Sequence, residues 1–282
     1  MNLSSPQAIR RTETVLRPSR GLVALDLGEI WRYRELLYFL VWRDVKVRYK
    51  QTALGVAWAV LQPVLTMLVF SLVFGRLARM PTGGVPYPIF AFAALLPWQL
   101  FAHALTESGN SLINHQGLVT KVYFPRLLLP LSAVLAGLVD FAVAFLVLAG
   151  MMIHERIVPG AAILLLPAFV LLALLTALAV GVWLAALNVR YRDVRYTLPF
   201  LTQFWLFATP IAYPSSLVPA AWRPWYGLNP MAGVVEGFRW ALLGQGEGVG
   251  PLLRVSIAMV VLLLVGGVIY FKKTERTFAD LM

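Results

Sequence analysis

Asp140 is the first residue with chemical promise, a lone acid inside the apolar run LVDFAVAF. An ionisable side chain at membrane depth is by default a functional candidate, in a proton relay or a substrate path. The plainer reading is a carboxyl that hydrogen-bonds a neighbouring helix, or that is protonated and packs. No basic residue stands at its depth in the pattern, and a lone acid makes a poor relay, so the plainer reading is the expectation. His154 and Glu155 open like a zinc-protease HExxH helix, but Val158 holds the place of the second histidine. The three histidines, His103, His115 and His154, fall on different segments, and no metal site is expected. The absence of cysteine removes disulfides, thiolate metal sites and cysteine nucleophiles. No GxxxxGK(S/T) phosphate loop and no GxSxG elbow occurs. The chain is therefore not expected to be an enzyme, nor to bind ATP by that loop.

The elements that would hold such residues follow from hydropathy. Hydrophobic residues make up 60% of the 282, and charged ones 13%, about half the usual share of a soluble domain. So much apolar surface cannot be hidden inside one water-soluble core of this length. A helix crossing ~30 Å of hydrocarbon needs about 20 mostly apolar residues. Such runs lie at about 53–75, 86–106, 127–152, 161–187, 195–213 and 251–271. The expected fold is an all-α integral membrane protein with about six transmembrane helices, a single domain over 1–282 with its six-span core at 53–271. Pro88, Pro97, Pro199 and Pro210 interrupt the second and fifth runs, which membrane helices tolerate where neighbours satisfy the freed carbonyls. An even number of spans puts both termini on one side, and 18 of the 24 basic residues then fall on it. The positive-inside bias makes that side the cytoplasm. The net charge of +11 flanks apolar runs rather than lining a soluble helix face, so the expected partner is anionic lipid and not nucleic acid. Residues 1–20 carry Arg10, Arg11, Arg17 and Arg20 but no apolar stretch, so no cleavable secretory signal is expected.

Two segments do not read as simple spans. In 26–50, Leu27, Ile30, Trp31, Tyr38, Val41, Trp42 and Val45 recur at three- and four-residue steps, with Glu29, Arg32, Glu35, Arg43, Lys46 and Lys50 largely on another face. This pattern predicts an amphipathic interface helix with tryptophans at headgroup depth, opened by an Asp26–Glu29 capping box. The stretch 214–250 is long and rich in Pro and Gly, and Pro219–Trp225 and Asn229–Leu243 read as two short helices dipping into the outer leaflet.

Five strings together, RYKQTALGVAWAVLQP (48–63), YPIFAFAALLPWQLF (87–101), KVYFPRLLLP (121–130), LNVRYRDV (187–194) and LNPMAGVVEGFRWALLG (228–244), carry a family resemblance. In this order, from about residue 26 onward, the chain resembles the permease subunits of ABC transporters that export O-antigen, capsular polysaccharide or teichoic acid. The resemblance implies export of undecaprenyl-pyrophosphate-linked polysaccharide, O-antigen first among them, across the bacterial inner membrane. It implies a homodimer with two separate ATP-binding subunits, which bind the ATP and Mg, so that no cofactor is held here. It also implies an external gate over 214–250 and a coupling helix at about Ser111–Val122, seated in a cleft of the ATP-binding subunit. Competing readings are a permease for teichoic acid, a drug or a lipid, and a membrane-embedded lipid-sugar transferase, which would need catalytic acids that do not appear.

Under that resemblance, residues acquire roles. A polysaccharide needs a polar or aromatic-lined path, and Phe200, Phe204 and Phe207 lie at i, i+4 and i+7, with Gln203 beside them and Trp58 and Gln62 on the first span. These six are the expected channel lining, against the alternative of ordinary packing or lipid contact. Arg43, Lys46, Arg48 and Lys50 are the expected pyrophosphate and headgroup contacts, since arginine engages phosphate oxygens bidentately. Asn114, Gln116, Leu118, Val119 and Lys121 are the expected ATPase contacts. Trp222, Trp225, Asn229, Glu236 and Arg239 belong to the expected gate, with Glu236–Arg239 as a structural pair at helical spacing.

Overall fold

Away from water a backbone must pair its own N–H and C=O groups, so apolar runs of this length become helices. The computed structural model describes residues 27–50, 55–219, 221–246, 248 and 250–278, and every regular element among them is helical. The elements are α1 (Leu27–Arg32), α2 (Arg34–Lys50), α3 (Gly55–Phe70, continued by a π-helical stretch to Leu77), α4 (Tyr87–Asn114) and α5 (Gln116–Lys121). There follow α6 (Leu128–His154), α7 (Leu166–Arg190), α8 (Val194–Ala208), α9 (Arg223–Tyr226), α10 (Pro230–Leu243) and α11 (Pro251–Thr274). Among the described residues, five helical stretches are long and apolar enough to cross a membrane: Ala57–Leu77, Tyr87–Asn114, Leu128–His154, Ala161–Arg190 and Pro251–Thr277.

The centre of the bundle is α4, where Ile89–Leu96, Trp98, Phe101, Ala104 and Leu105 are buried. α7 runs parallel to it, since Asn188, near the end of α7, donates to the Gly109 carbonyl near the end of α4 at 3.0 Å. α11 runs the same way, with Tyr270 stacked on Trp183 of α7. α6 runs opposite: Leu128, at its start, shares a cluster with Leu112, and Met152, at its end, shares one with Ile89. The bundle thus has an α5 end and an α10 end.

The fifth apolar run differs from the expected regular span. α8 has 15 residues, about 22 Å at ~1.5 Å per residue. Pro210 cannot donate an N–H and disfavours helical backbone in the residue before it, and Thr209 is extended (φ −103°, ψ 143°). The chain nevertheless continues along α4. Leu198 lies against Gly109, the Trp205 ring sits 5.0 Å from Phe101, and Tyr87 Oη donates to the Ala212 carbonyl at 2.8 Å. From Gly109 back to Tyr87, α4 rises about 33 Å. A helix plus an unwound pentapeptide, 209–213, covers that distance.

Side chains hold the unwound piece. Asn229 Nδ2 and Tyr226 Oη donate to the Ala208 carbonyl, and Arg239 donates to those of Pro210 (2.6 Å), Ile211 (2.5 Å) and Tyr213 (3.2 Å). Non-helical backbone at this depth is permitted because protein, rather than lipid, satisfies it. α10, which supplies Arg239, is well specified locally. Asn229 accepts from the Met231 N–H at 3.1 Å, Pro230 takes the first helical position, and Gly244 ends the helix at φ 67°.

The interface helix also differs from its expected form. Ile30, Tyr33, Leu36, Leu37 and Leu40 pack on the bundle, whereas Trp31, Tyr38 and Trp42 are exposed. Apolar residues surround this helix on more than one face, and the packed face is not the one that the spacing of its tryptophans picks out. Helical hydrogen bonds continue through Tyr33 from α1 into α2, and Asp26 of the expected capping box lies outside the described residues. α2 climbs beside α6 in the same direction, with Asp44 near Ser132 and Arg48 on Asp140.

Candidate functional site

A cavity of about 1000 Å³ opens between α3, α4, α6 and α8, with the end of α2 at one pole. Its wall alternates apolar rings with uncharged polar groups: Trp58, Gln62 and Thr66 from α3, Trp98 and Gln99 from α4, Gln203 and Phe207 from α8. The amide and hydroxyl groups can exchange hydrogen bonds with a hydroxyl-rich ligand, and the rings offer flat apolar faces beside them. Four of the six expected lining residues, Trp58, Gln62, Gln203 and Phe207, meet here. Phe200 and Phe204 do not; they point away from the cavity and are 73% and 66% exposed. The helical spacing put the three phenylalanines on one face, but only Phe207, nearest the break in α8, turns into this chain's own cavity.

At the charged pole of the cavity Asp140 bonds a neighbouring helix, as the plainer reading expects, but it has a basic partner that the sequence pattern does not show. Its partners are Arg48, in an ion pair, and Tyr49, whose hydroxyl donates to the same carboxylate. Arg48 had been placed at the membrane surface as a flank of the first span. Because α2 climbs beside α6, the guanidinium instead reaches the middle of α6. His103 lies on the same wall, with Nε2 buried and no hydrogen-bond partner among the described residues. No metal-binding group of His, Asp or Glu occurs among the described residues.

The other expected headgroup cations divide. Arg43 turns inward to Asp44 (2.8 Å) and touches His115, the residue joining α4 to α5. Lys46 and Lys50 are exposed, Lys46 with its ammonium 5.4 Å from the Trp42 ring.

The expected coupling segment is partly α4 and partly a separate short helix. Ser111–Asn114 complete α4, and α5 spans Gln116–Lys121. Asn114, Gln116 and Lys121 are exposed, Leu118 is half-buried, and Val119 is 3% exposed within the cluster that holds Leu112 and Phe271. Val119 is thus turned into the chain's own core. Val122 and Tyr123, just past α5, are exposed at this end, as are Tyr191 and Tyr196. A six-residue helix has too few turns for spacing to reveal which face is inward.

The gate residues divide in a similar way. Trp222 and Trp225 are exposed beside and within α9. Asn229, Glu236 and Arg239 lie inside: Asn229 also accepts from Trp205 Nε1 at 2.8 Å, and Glu236 Oε1 stands 3.4 Å from Arg239. Beyond that pair, the Arg239 guanidinium lies over the Phe90 ring, 3.6 Å from its centroid, and brackets the 210–213 carbonyls. Sequence reasoning found the ion pair and missed the bracket, for which Pro210 was the available signal.

Helices of crossing length around a cavity, with a further helix leading in and a broken helix at the α10 end, define a multi-pass membrane protein. The sequence matches the ABC-2 type transporter family over residues 35–243, and the chain belongs to that family. It is 33% identical over 261 residues to the O-antigen export system permease protein RfbA of Myxococcus xanthus, covering 89% of this chain and 97% of that one. A protein of the same name from Klebsiella pneumoniae is 27% identical over 88% of this chain and 95% of its own length. The polysialic acid transport protein KpsM of Escherichia coli is 23% identical over 83% and 91%.

Proposed function

We propose that this chain is the membrane-spanning subunit of an ABC exporter that carries polysaccharide out across the inner membrane, with O-antigen the favoured cargo. The observation that carries this is the cavity wall, in which Trp58, Gln62, Gln203 and Phe207 combine ring faces with amides. The end-to-end similarity to permeases named for O-antigen export supports the same cargo class. In this reading the cargo is linked to undecaprenyl pyrophosphate, two copies of the chain pair, and two ATP-binding subunits dock at the α5 end. The α5 end is then cytoplasmic, along with both termini, which agrees with Lys121, Arg126, Arg190, Arg192, Arg195, Lys272, Lys273 and Arg276 lying there. The exposed Trp31, Tyr38 and Trp42 suit headgroup depth, with Lys46 and Lys50 beside them for anionic lipid. Trp222 and Trp225 stand at the outer mouth, where a gate would be needed.

The test is reconstitution of the chain with its ATP-binding partner in proteoliposomes supplied with lipid-linked polymer. ATP-dependent appearance of polymer on the opposite side supports the reading. ATP hydrolysis that moves only a drug or a simple lipid would refute it. A cargo of acidic capsular type is the second reading, favoured by the similarity to proteins named for polysialic acid transport, and the same assay run with that polymer decides between them.

A further inference from the structure

Two cavities meet at one side chain. Arg48 lines the large cavity and also a second one of about 370 Å³ toward the α5 end, which Arg43, Asp44, Glu107, Asn114 and His115 help to enclose. Its guanidinium is held by Asp140, on the wall of the large cavity alone. The ion pair therefore stands between the two spaces. The contact is also replaceable. Its side chains are 26% and 27% exposed, so neither charge is sealed from water and ions. A carboxylate and a phosphate both accept paired N–H bonds from a guanidinium, so an anion can take the place that Asp140 now fills. Asp140 would not be orphaned by the exchange, because the Tyr49 hydroxyl remains its donor. Arg43, on the smaller cavity, supplies a second guanidinium where the anion would arrive. His103 Nε2, buried and unpartnered on the large cavity's wall, is available to an oxygen passing the opened pair.

We propose that the Arg48–Asp140 contact is a displaceable partition, opened when a diphosphate group arriving in the smaller cavity takes Arg48 from Asp140 and so joins the two spaces. The proposal rests on the reading of the large cavity as a transport path. It adds that the inner end of the path is closed by the chain's own carboxylate until a diphosphate competes for its partner. The same α2 helix carries Arg43, which touches His115 at the α4–α5 junction. Movement of the ATPase-facing turn and movement of Arg48 are thereby joined through one helix.

The natural absence of cysteine allows a direct test. An Ala144→Cys variant places a thiol on the large cavity's wall, one turn past Asp140. Full-length protein in phosphatidylcholine vesicles is treated from the α5 side with a charged, membrane-impermeant thiol reagent. Labelling is expected to be slow in this parent and up to about fivefold faster with inorganic pyrophosphate or farnesyl diphosphate, the size expected for release of one partly exposed ion pair. Adding Asp140→Asn should give the fast rate without any diphosphate, and pyrophosphate should then change nothing further. Equal rates in all three conditions would overturn the partition. Acceleration only in vesicles containing phosphatidylglycerol, and not by either diphosphate, would overturn the diphosphate assignment. The pyrophosphate arm uses the parent protein, so it decides even if Asp140→Asn fails to insert. The assay needs neither ATP nor polymer, so its failure leaves export measurable, and a failure of export leaves the labelling result intact.

Discussion

Two arginines, one at the α10 end of the bundle and one beside the middle of α6, use the same chemistry for different purposes. Arg239 is 1% exposed and spends its donors on the carbonyls of Pro210, Ile211 and Tyr213, with Glu236 and the Phe90 ring completing its surroundings. Arg48 is about a quarter exposed and its principal partner is a carboxylate on a cavity wall. A guanidinium with several backbone acceptors in a sealed site has no cheap alternative arrangement, because leaving would strand every acceptor. A guanidinium paired to a carboxylate beside water can exchange partners. The difference separates an arginine that fixes the unwound 209–213 segment from one whose contact is open to exchange.

The comparison breaks most visibly if Arg239 proves dispensable. Arg239→Ala should cost about 3–5 kcal/mol, the usual penalty for removing one partner of a buried polar cluster, and should strip the protein from the membrane fraction or lower its Tm in detergent sharply. Arg239→Lys keeps the charge but not the planar fork, and should fall between. An unchanged Tm in the alanine variant would mean that the unwound segment is held by something else.

A packing test sharpens the same contrast. A Cβ on Gly237 would collide with the Phe169 ring, whereas a Cβ on Gly117, in α5, meets nothing within 4 Å. Gly237→Val should therefore cost about 1–3 kcal/mol through overpacking. Gly117→Ala should be neutral or stabilising by up to about 1 kcal/mol. Thermal unfolding of the two variants side by side checks both signs.

At the inner end the stability effects should be small while function suffers. Removing Arg48 and Asp140 singly and together should give a coupling of about 0.2–1 kcal/mol, since the pair is partly solvated. Export should nevertheless fall in each single variant by more than Tm predicts. At α5, Val119→Asp should lower the yield of folded protein, because the side chain is buried. Tyr123→Asp should leave Tm unchanged and uncouple ATP hydrolysis from export. If Val119→Asp inserts normally and only uncouples, then Val119 faces the ATPase after all.

The smallest expected effect is in the channel. Phe207→Ala should reduce export modestly and Phe207→Leu should not restore it, because leucine keeps bulk but loses the flat ring. Phe200→Ala, away from the cavity, should leave a single chain's path unaltered; a loss equal to that of Phe207→Ala would place Phe200 in a path completed by a second copy.

What the sequence made legible depended on whether the signal was local. The long apolar runs became helices because span length is a local property. The short helix at Asn229–Leu243 was legible for the same reason, and the structure adds its caps at Asn229 and Gly244. The Arg48–Asp140 pair was not, because it joins residues 92 positions apart and depends on α2 climbing beside α6. The role of Arg239 was hidden differently: its partners are backbone carbonyls, which every residue possesses, and Pro210 marks where they are freed but not which side chain meets them. For Phe200, Phe204 and Phe207, periodicity defined a shared face but not what that face meets.

The most direct test of the export path is photo-crosslinking during turnover. A photoreactive amino acid at Gln62, on the cavity wall, is compared with one at Leu262, an exposed apolar position on α11 that does not line the cavity. With ATP, the partner subunit and lipid-linked polymer present, the account predicts polymer adducts at position 62 and none at position 262. Sustained export with no adduct at 62, or with equal adducts at both positions, would contradict it.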